Sequence, residues 1–233
     1  MDIDWIFFDC FNTLIDDFDE SGEESGLGTL PKLSIELGCF EKVEQFLESY
    51  HAVQFPDLEE GAEVTLQNRL IQTLQAGALS ASEIPWASAA LMERWQLEYP
   101  RSLRATPGVA EMLSHWKDKC RMGVVSNFFI PDLPASYLNS FGLDSYFEFV
   151  LDSARYGYKK PHERVFMEAL KLAKLSPQQA NRVLFIGDRL DLDIHPSKEL
   201  GMNVIHFNRS RIRPSVTSAQ GEIKTIYDWS EFR

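Results

Sequence analysis

Trp5-Ile6-Phe7-Phe8-Asp9-Cys10-Phe11-Asn12-Thr13-Leu14 sets four consecutive large apolar residues directly ahead of a carboxylate. A continuous apolar run of this length suits a strand buried on both faces. Two later stretches repeat the arrangement. Met122-Gly123-Val124-Val125 leads into Ser126-Asn127, and Val183-Leu184-Phe185-Ile186 leads through Gly187 to Asp188 and Asp193, with Lys160 lying between them in the chain. In an open α/β sheet, ligands bind outside the carboxyl ends of the strands, which is where these polar residues would lie. The pattern predicts an enzyme that uses carboxylates, one lysine and a divalent cation.

Working outward, residues 2–9 read as the first strand, and Asp16 to Gly28 as an acidic, glycine-bearing solvated linker. Between Leu30 and Tyr99 the signal is helical. Val43, Phe46, Leu47 and Tyr50 share one face, as do Leu66, Leu70, Ile71 and Leu74, predicting an insertion of three to four helices. Pro107-Gly108 marks the return, ahead of an apolar helical stripe of Val109, Met112, Leu113 and Trp116. Strands near 120–126, 148–151, 182–187, 203–207 and 224–227 then alternate with helices near 132–141, 162–174 and 194–200. Such alternation predicts an α/β fold, a doubly wound parallel sheet with a Rossmann-like core. The predicted division is a core of residues 1–15 and 101–233 and a helical cap of residues 16–100, set over the strand ends.

The composition, 44% hydrophobic and 25% charged over 233 residues, is that of an ordinary globular protein. The formal net charge of −12 argues against a sequence-independent grip on nucleic acid. The best basic cluster, Arg209, Arg211 and Arg213, reads as a solvated loop. Neither a signal peptide nor a membrane span is visible, so a cytoplasmic monomer or homodimer without membrane or nucleic-acid partners is expected. Cys10, Cys39 and Cys120 are at unrelated spacings, which suggests neither a disulfide framework nor a zinc site. Strand alternation turns Cys10 away from Asp9, so it reads as a small buried residue. His162, His195 and His206 are not at metal-ligand spacing and are assigned no catalytic role.

The ordered segments FFDCFNTL (7–14), GVVSN (123–127), GYKKPHERVF (157–166) and FIGDRLDLDI (185–194) resemble those of the haloacid dehalogenase superfamily, which includes many phosphatases. The resemblance covers nearly the whole chain. It implies that Asp9 is a nucleophile forming a covalent ester that water later cleaves. Lys160, rather than Lys159, would supply positive charge beside the transferring group. The Thr13 hydroxyl would orient Asp9, and Ser126 and Asn127 would bind the transferring group. Mg²⁺, a hard cation that prefers oxygen ligands, would be held by the Asp9 carboxylate, the backbone carbonyl of Phe11 and Asp188, with Asp193 binding directly or one layer out. Asp191 reads as solvated.

Phe11 departs from the phosphatase pattern. Most phosphatases of this superfamily carry a second aspartate two residues after the nucleophile, as general acid and then base. Phenylalanine cannot transfer a proton, a contribution typically worth ~10²–10⁴-fold in rate. A backbone carbonyl is still available there, so the expectation is a retained cation and a lost proton shuttle. An aromatic residue at this position also resembles the dehalogenases proper. Those enzymes, however, depart from the Gly187, Asp188 and Asp193 pattern and use an arginine soon after the nucleophile, whereas residues 15–31 contain none. Arg69 and Arg94 read as helix-surface residues. The expected substrate is a small phosphorylated molecule, with a halogenated one or a catalytically impaired phosphate-binding role as alternatives.

Overall fold

A computed structural model describes residues 3–17, 26–209 and 223–233. Most of the acidic linker (18–25), together with Arg211 and Arg213, lies outside the described residues. The chain divides into two compact units, residues 1–16 with 104–233 and residues 17–103.

In chain order the elements begin with β1 (Trp5–Phe8) and β2 (Ile15–Asp16). Helices α1 (Leu30–Glu36), α2 (Val43–Ala52), α3 (Leu66–Leu74) and α4 (Ile84–Glu98) follow. The chain returns through β3 (Arg104–Ala105), α5 (Val109–Trp116), β4 (Arg121–Ser126), α6 (Leu133–Ser140), β5 (Phe149–Asp152), α7 (Ser153–Tyr156) and α8 (Glu163–Leu172). It ends with β6 (Val183–Gly187), α9 (His195–Glu199), β7 (Asn203–Phe207) and β8 (Lys224–Ile226).

Among the described residues, six strands form one sheet in the order β5-β4-β1-β6-β7-β8, with every neighbouring pair parallel. The chain builds outward from β1 through β4 to β5, then returns to β1's other side with β6. The order of strand addition reverses at β1, so the crevice at its carboxyl end is where a doubly wound sheet takes its ligand. β1 is buried at every position because it is paired on both edges and covered on both faces. On one face Trp5 and Phe7 pack against Phe149 at 5.7 and 5.4 Å between ring centroids. On the other, Phe8 meets Trp229 at 6.0 Å, and Trp229 stacks on Phe207 at 4.1 Å.

Gly123 in β4 is set by that packing. A Cβ there would lie 2.8 Å from Cε2 of Phe149, so no larger residue fits beneath the ring. α8 is capped by His162, whose Nδ1 accepts from the Arg164 N–H, and buries Val165, Phe166, Ala169 and Leu170 against the β1 and β6 side of the core.

The antiparallel ribbon of β2 and β3 stands where the chain leaves the first unit and re-enters it. It overturns one expectation. Asp16 is not the start of a solvated linker but is 1% exposed, ion-paired with Arg104 at 3.4 Å and with Arg209. Arg209 is accordingly three-quarters buried rather than solvated. A carboxylate out of water requires such partners.

In the second unit, α1 packs on α2 and α4, and α3 on α2 and α4. The buried positions include Leu33, Phe46, Leu66, Leu70, Leu74 and Leu91. Trp95 stacks on Tyr99 at 4.1 Å within this unit, whereas Trp86 is 58% exposed. No helix among the described residues is long and apolar enough to cross a membrane.

Candidate active site

Asp9 directly follows β1, and its N–H donates to the Ile186 carbonyl (2.9 Å), which prolongs the pairing with β6. Asn12 adopts a left-handed φ of 62°, a conformation asparagine tolerates better than most residues. The tight turn brings Thr13 back so that its hydroxyl donates to Asp9 Oδ2 at 3.0 Å. The other Asp9 oxygen accepts from Lys160 Nζ at 2.7 Å. Both oxygens of the candidate nucleophile are therefore oriented by side chains.

Lys160 is 2% exposed, and its ammonium meets three acceptors: Asp9 Oδ1 at 2.7 Å, Asp193 Oδ1 at 2.7 Å and the Val125 carbonyl at 2.8 Å. Burial alone would lower its pKa, but the carboxylates of Asp193 and Asp9 outweigh that and hold it above the usual lysine range. Asp193, 1% exposed, is raised to about 6, first by burial, with Asp9's charge adding and Lys160 opposing. A divalent cation alongside would pull that value back down.

Asp9, Asp188 and Asp193, all buried, each present an oxygen within 4.8 Å of the others. Three clustered carboxylates and the one ammonium paired with two of them leave two excess negative charges when ionised, which a divalent cation would balance. The donor set is all oxygen, as Mg²⁺ prefers. The residues present fit such an ion.

Asp193 sits in a π-type turn, residues Leu190–Ile194, and its Oδ2 accepts from the Arg189 N–H at 3.0 Å. Gly187 makes room for it. A Cβ on Gly187 would lie 2.6 Å from Asp193 Cγ and 2.7 Å from its Cβ. Because Lys160 and the Arg189 N–H pin that carboxylate, it cannot swing aside. Gly187→Ala is expected to destabilise the fold by about 1–3 kcal/mol and to weaken Mg²⁺ binding. Denaturant midpoints and a Mg²⁺ titration matching wild type would refute this account of the glycine.

Ser126 ends β4 with its hydroxyl buried and without a hydrogen-bond partner among the described residues. Asn127 pairs with the backbone of Lys160. Its Nδ2 donates to the Lys160 carbonyl and its Oδ1 accepts from the Lys160 N–H, both at 2.8 Å. The amide thus fixes the backbone that carries the lysine.

His206 makes a contact beside the site that the sequence did not reveal. It is fully buried in β7 in register with Gly187, and its Nε2 lies 3.1 Å from the Asp188 carbonyl. Its sequence signal is only its place near the end of an apolar strand. His162 serves as a helix cap.

Cys10 is fully buried, and its thiol is pushed well above the usual range by burial first and by Asp9 second, against the influence of Lys160. It is no nucleophile in this state. Arg69 lies over the Tyr50 ring at 5.4 Å, Arg94 pairs with Glu98 at 3.4 Å, and exposed Asp191 pairs with Arg189 at 2.6 Å. Phe11 is half-buried, its ring stacked on Phe128.

A family profile for haloacid dehalogenase-like hydrolases matches residues 3–201. A glyceraldehyde 3-phosphate phosphatase of Pyrococcus abyssi is 31% identical over 123 residues, 52% of this chain and 50% of the relative. A pyrimidine 5'-nucleotidase of Escherichia coli is 28% identical over 200 residues, 82% of this chain and 80% of the relative. The match thus spans about half the length of the Pyrococcus abyssi relative. A 2-haloacid dehalogenase from Pseudomonas syringae pv. tomato superposes with a TM-score of 0.78 at 20% identity, covering 98% of this chain and 96% of that one. A phosphatase from Thermococcus onnurineus does so with a TM-score of 0.65 at 21% identity, covering 99% and 96%. The chain belongs to the haloacid dehalogenase-like hydrolases.

Proposed function

We propose that this hydrolase is a Mg²⁺-dependent phosphatase of a small phosphorylated molecule, acting through an aspartyl-phosphate on Asp9, with the helical unit as its substrate-selecting cap. The observation that carries the reading is the buried trio Asp9, Asp188 and Asp193 with Lys160 Nζ bonded to two of its members. The relatives named for hydrolysis of a triose phosphate and of pyrimidine nucleotides support a phosphoric monoester as substrate.

In this reading Asp9, Asp188 and the Phe11 carbonyl hold the cation, and Asp193 completes the carboxylate set. When bound, the ion neutralises phosphoryl oxygens and lets an anionic nucleophile approach an anionic ester. Lys160 adds a second fixed positive charge, and Thr13 keeps Asp9 aimed. Ser126 donates to a phosphoryl oxygen, while Asn127 holds Lys160 in place. Such preorganised charge is the main source of rate in phosphoryl transfer. Phe11 contributes no proton, so esters whose leaving group departs unprotonated turn over fastest.

The test is phosphate release from an aryl and an acyl phosphate, with Mg²⁺ and with chelator, by wild type and Asp9→Asn. Release that needs Mg²⁺ and falls ~10⁴-fold or more in Asp9→Asn is expected. Halide release from short 2-haloacids that ignores chelator would replace this reading with the dehalogenase one.

A further inference from the structure

The position that would hold a proton donor belongs to a ladder of rings. Phe11 stacks on Phe128 with centroids 4.6 Å apart and planes 17° from parallel. Phe128 stacks in turn on Phe129 at 4.8 Å and 14°. Tyr137 of α6 stands edge-on to both Phe11 and Phe128, at 6.3 Å from each. Phe11 lies in the turn after β1 and Phe128 directly after Ser126-Asn127 at the end of β4, and these strands are neighbours. The ladder therefore runs along the same sheet edge as Asp9 and Ser126.

Its middle rung is fixed through the backbone. The Phe128 N–H donates to Ser153 Oγ at 2.9 Å, and that hydroxyl, itself buried, donates back to the Phe128 carbonyl at 3.2 Å. Phe128 is 5% exposed, whereas Phe11 and Phe129 at the two ends are half-buried. Rings held by several partners lose little freedom when another ring packs on them, and offset or edge-on aromatic contacts favour a flat ligand over an equally sized polar one.

Resting on the phosphatase reading above, we propose that this ladder is a leaving-group subsite and that it selects aryl phosphate monoesters. Two independent demands meet in that class. An aryloxide leaves without prior protonation, as the missing acid requires, and its ring has an aromatic surface to pack against. An Asp9 oxygen bonds to phosphorus as the phosphorus–aryl oxygen bond breaks. The electron pair leaves on the aryloxide, which takes its proton from solvent. Water oxygen then bonds to phosphorus, the aspartyl–phosphorus bond breaks, and phosphate departs while the water proton goes to solvent. Acyl phosphates meet the first demand but not the second, which makes them the discriminating comparison.

The experiment measures kcat/KM for phenyl phosphate and acetyl phosphate on wild type, Phe129→Ala and the volume-conserving Phe11→Leu. The phenyl-to-acetyl ratio is expected to fall about two- to tenfold in each variant, chiefly through KM. An unchanged ratio in folded variants overturns the subsite while leaving the phosphatase reading intact. If Phe129→Ala does not fold, Phe11→Leu decides. If wild type turns over neither ester, the phosphatase reading fails. The subsite is then judged by binding of phenylphosphonate against methylphosphonate to the wild-type protein with Mg²⁺. Tighter phenylphosphonate binding, weakened in Phe11→Leu, supports it, and equal binding overturns it.

Discussion

Lys160→Met is expected to lower both turnover and stability, and added Mg²⁺ is expected to restore much of the stability but not the turnover. The methionine matches the lysine stem in length and removes the charge. Asp9 and Asp193 then face each other in the interior without the ammonium that bridges them at 2.7 Å on each side. Removing one partner from a buried ionic cluster typically costs about 3–5 kcal/mol. Loss of a preorganised charge at the transferring group costs ~10²–10³-fold in rate. The variant's carboxylates carry more uncompensated negative charge than wild type's, so they are expected to bind Mg²⁺ more tightly. At a hundredfold excess over its Kd the ion returns about 2.7 kcal/mol. Thermal unfolding with and without Mg²⁺, run beside a turnover assay, checks both parts. A variant as stable as wild type, or one that Mg²⁺ does not stabilise, would refute the charge arrangement described for this site. Lys160→Arg is not expected to rescue, because a planar fork cannot meet three acceptors converging on one nitrogen.

Phe11→Asp carries the second large effect, in the opposite direction. It places a carboxyl two residues after Asp9, the proposed nucleophile, where a proton donor would serve an alkoxide leaving group. Turnover of alkyl phosphates is expected to rise ~10²-fold, the lower end of what a positioned acid contributes, with little gain on aryl esters. The substitution also removes the ring stacked at 4.6 Å on Phe128 and edge-on to Tyr137, at a cost of about 1–3 kcal/mol. Steady-state assays on one alkyl and one aryl ester give the comparison. Unchanged or lower alkyl turnover in a folded variant would count against Phe11 as the missing acid/base position.

The sheet was legible because its strands are buried on both faces. Trp5–Phe8 and Val183–Gly187 read as continuous apolar runs, and the polar residues that end them mark the carboxyl edge of the sheet. Asp9, Thr13 and Lys160 come together there, with Asp188 and Asp193 alongside Asp9. The features that escaped depend on pairing between distant segments. Two-residue strands such as β2 and β3 have no period to detect, so the ribbon that buries Asp16 beside Arg104 and Arg209 could not be anticipated. His206 reaches Asp188 only through the β6–β7 register. The amide of Asn127 closes a reciprocal pair with the backbone of Lys160, 33 residues on, which the spacing of the two residues does not reveal. The turn over Leu190–Ile194 wraps Asp193 over Gly187, and that close approach shows only once side-chain volumes are placed in three dimensions.

The proposed reaction passes through a covalent phosphate on Asp9. Wild-type protein mixed with excess phenyl phosphate and Mg²⁺, quenched in acid during the first turnovers and digested, should yield phosphate on the peptide carrying Asp9. No such peptide should appear from Asp9→Asn or after chelation. Phosphate released at a normal rate with no phosphorylated Asp9 peptide at any quench time, or with Asp9→Asn as active as wild type, would contradict the account.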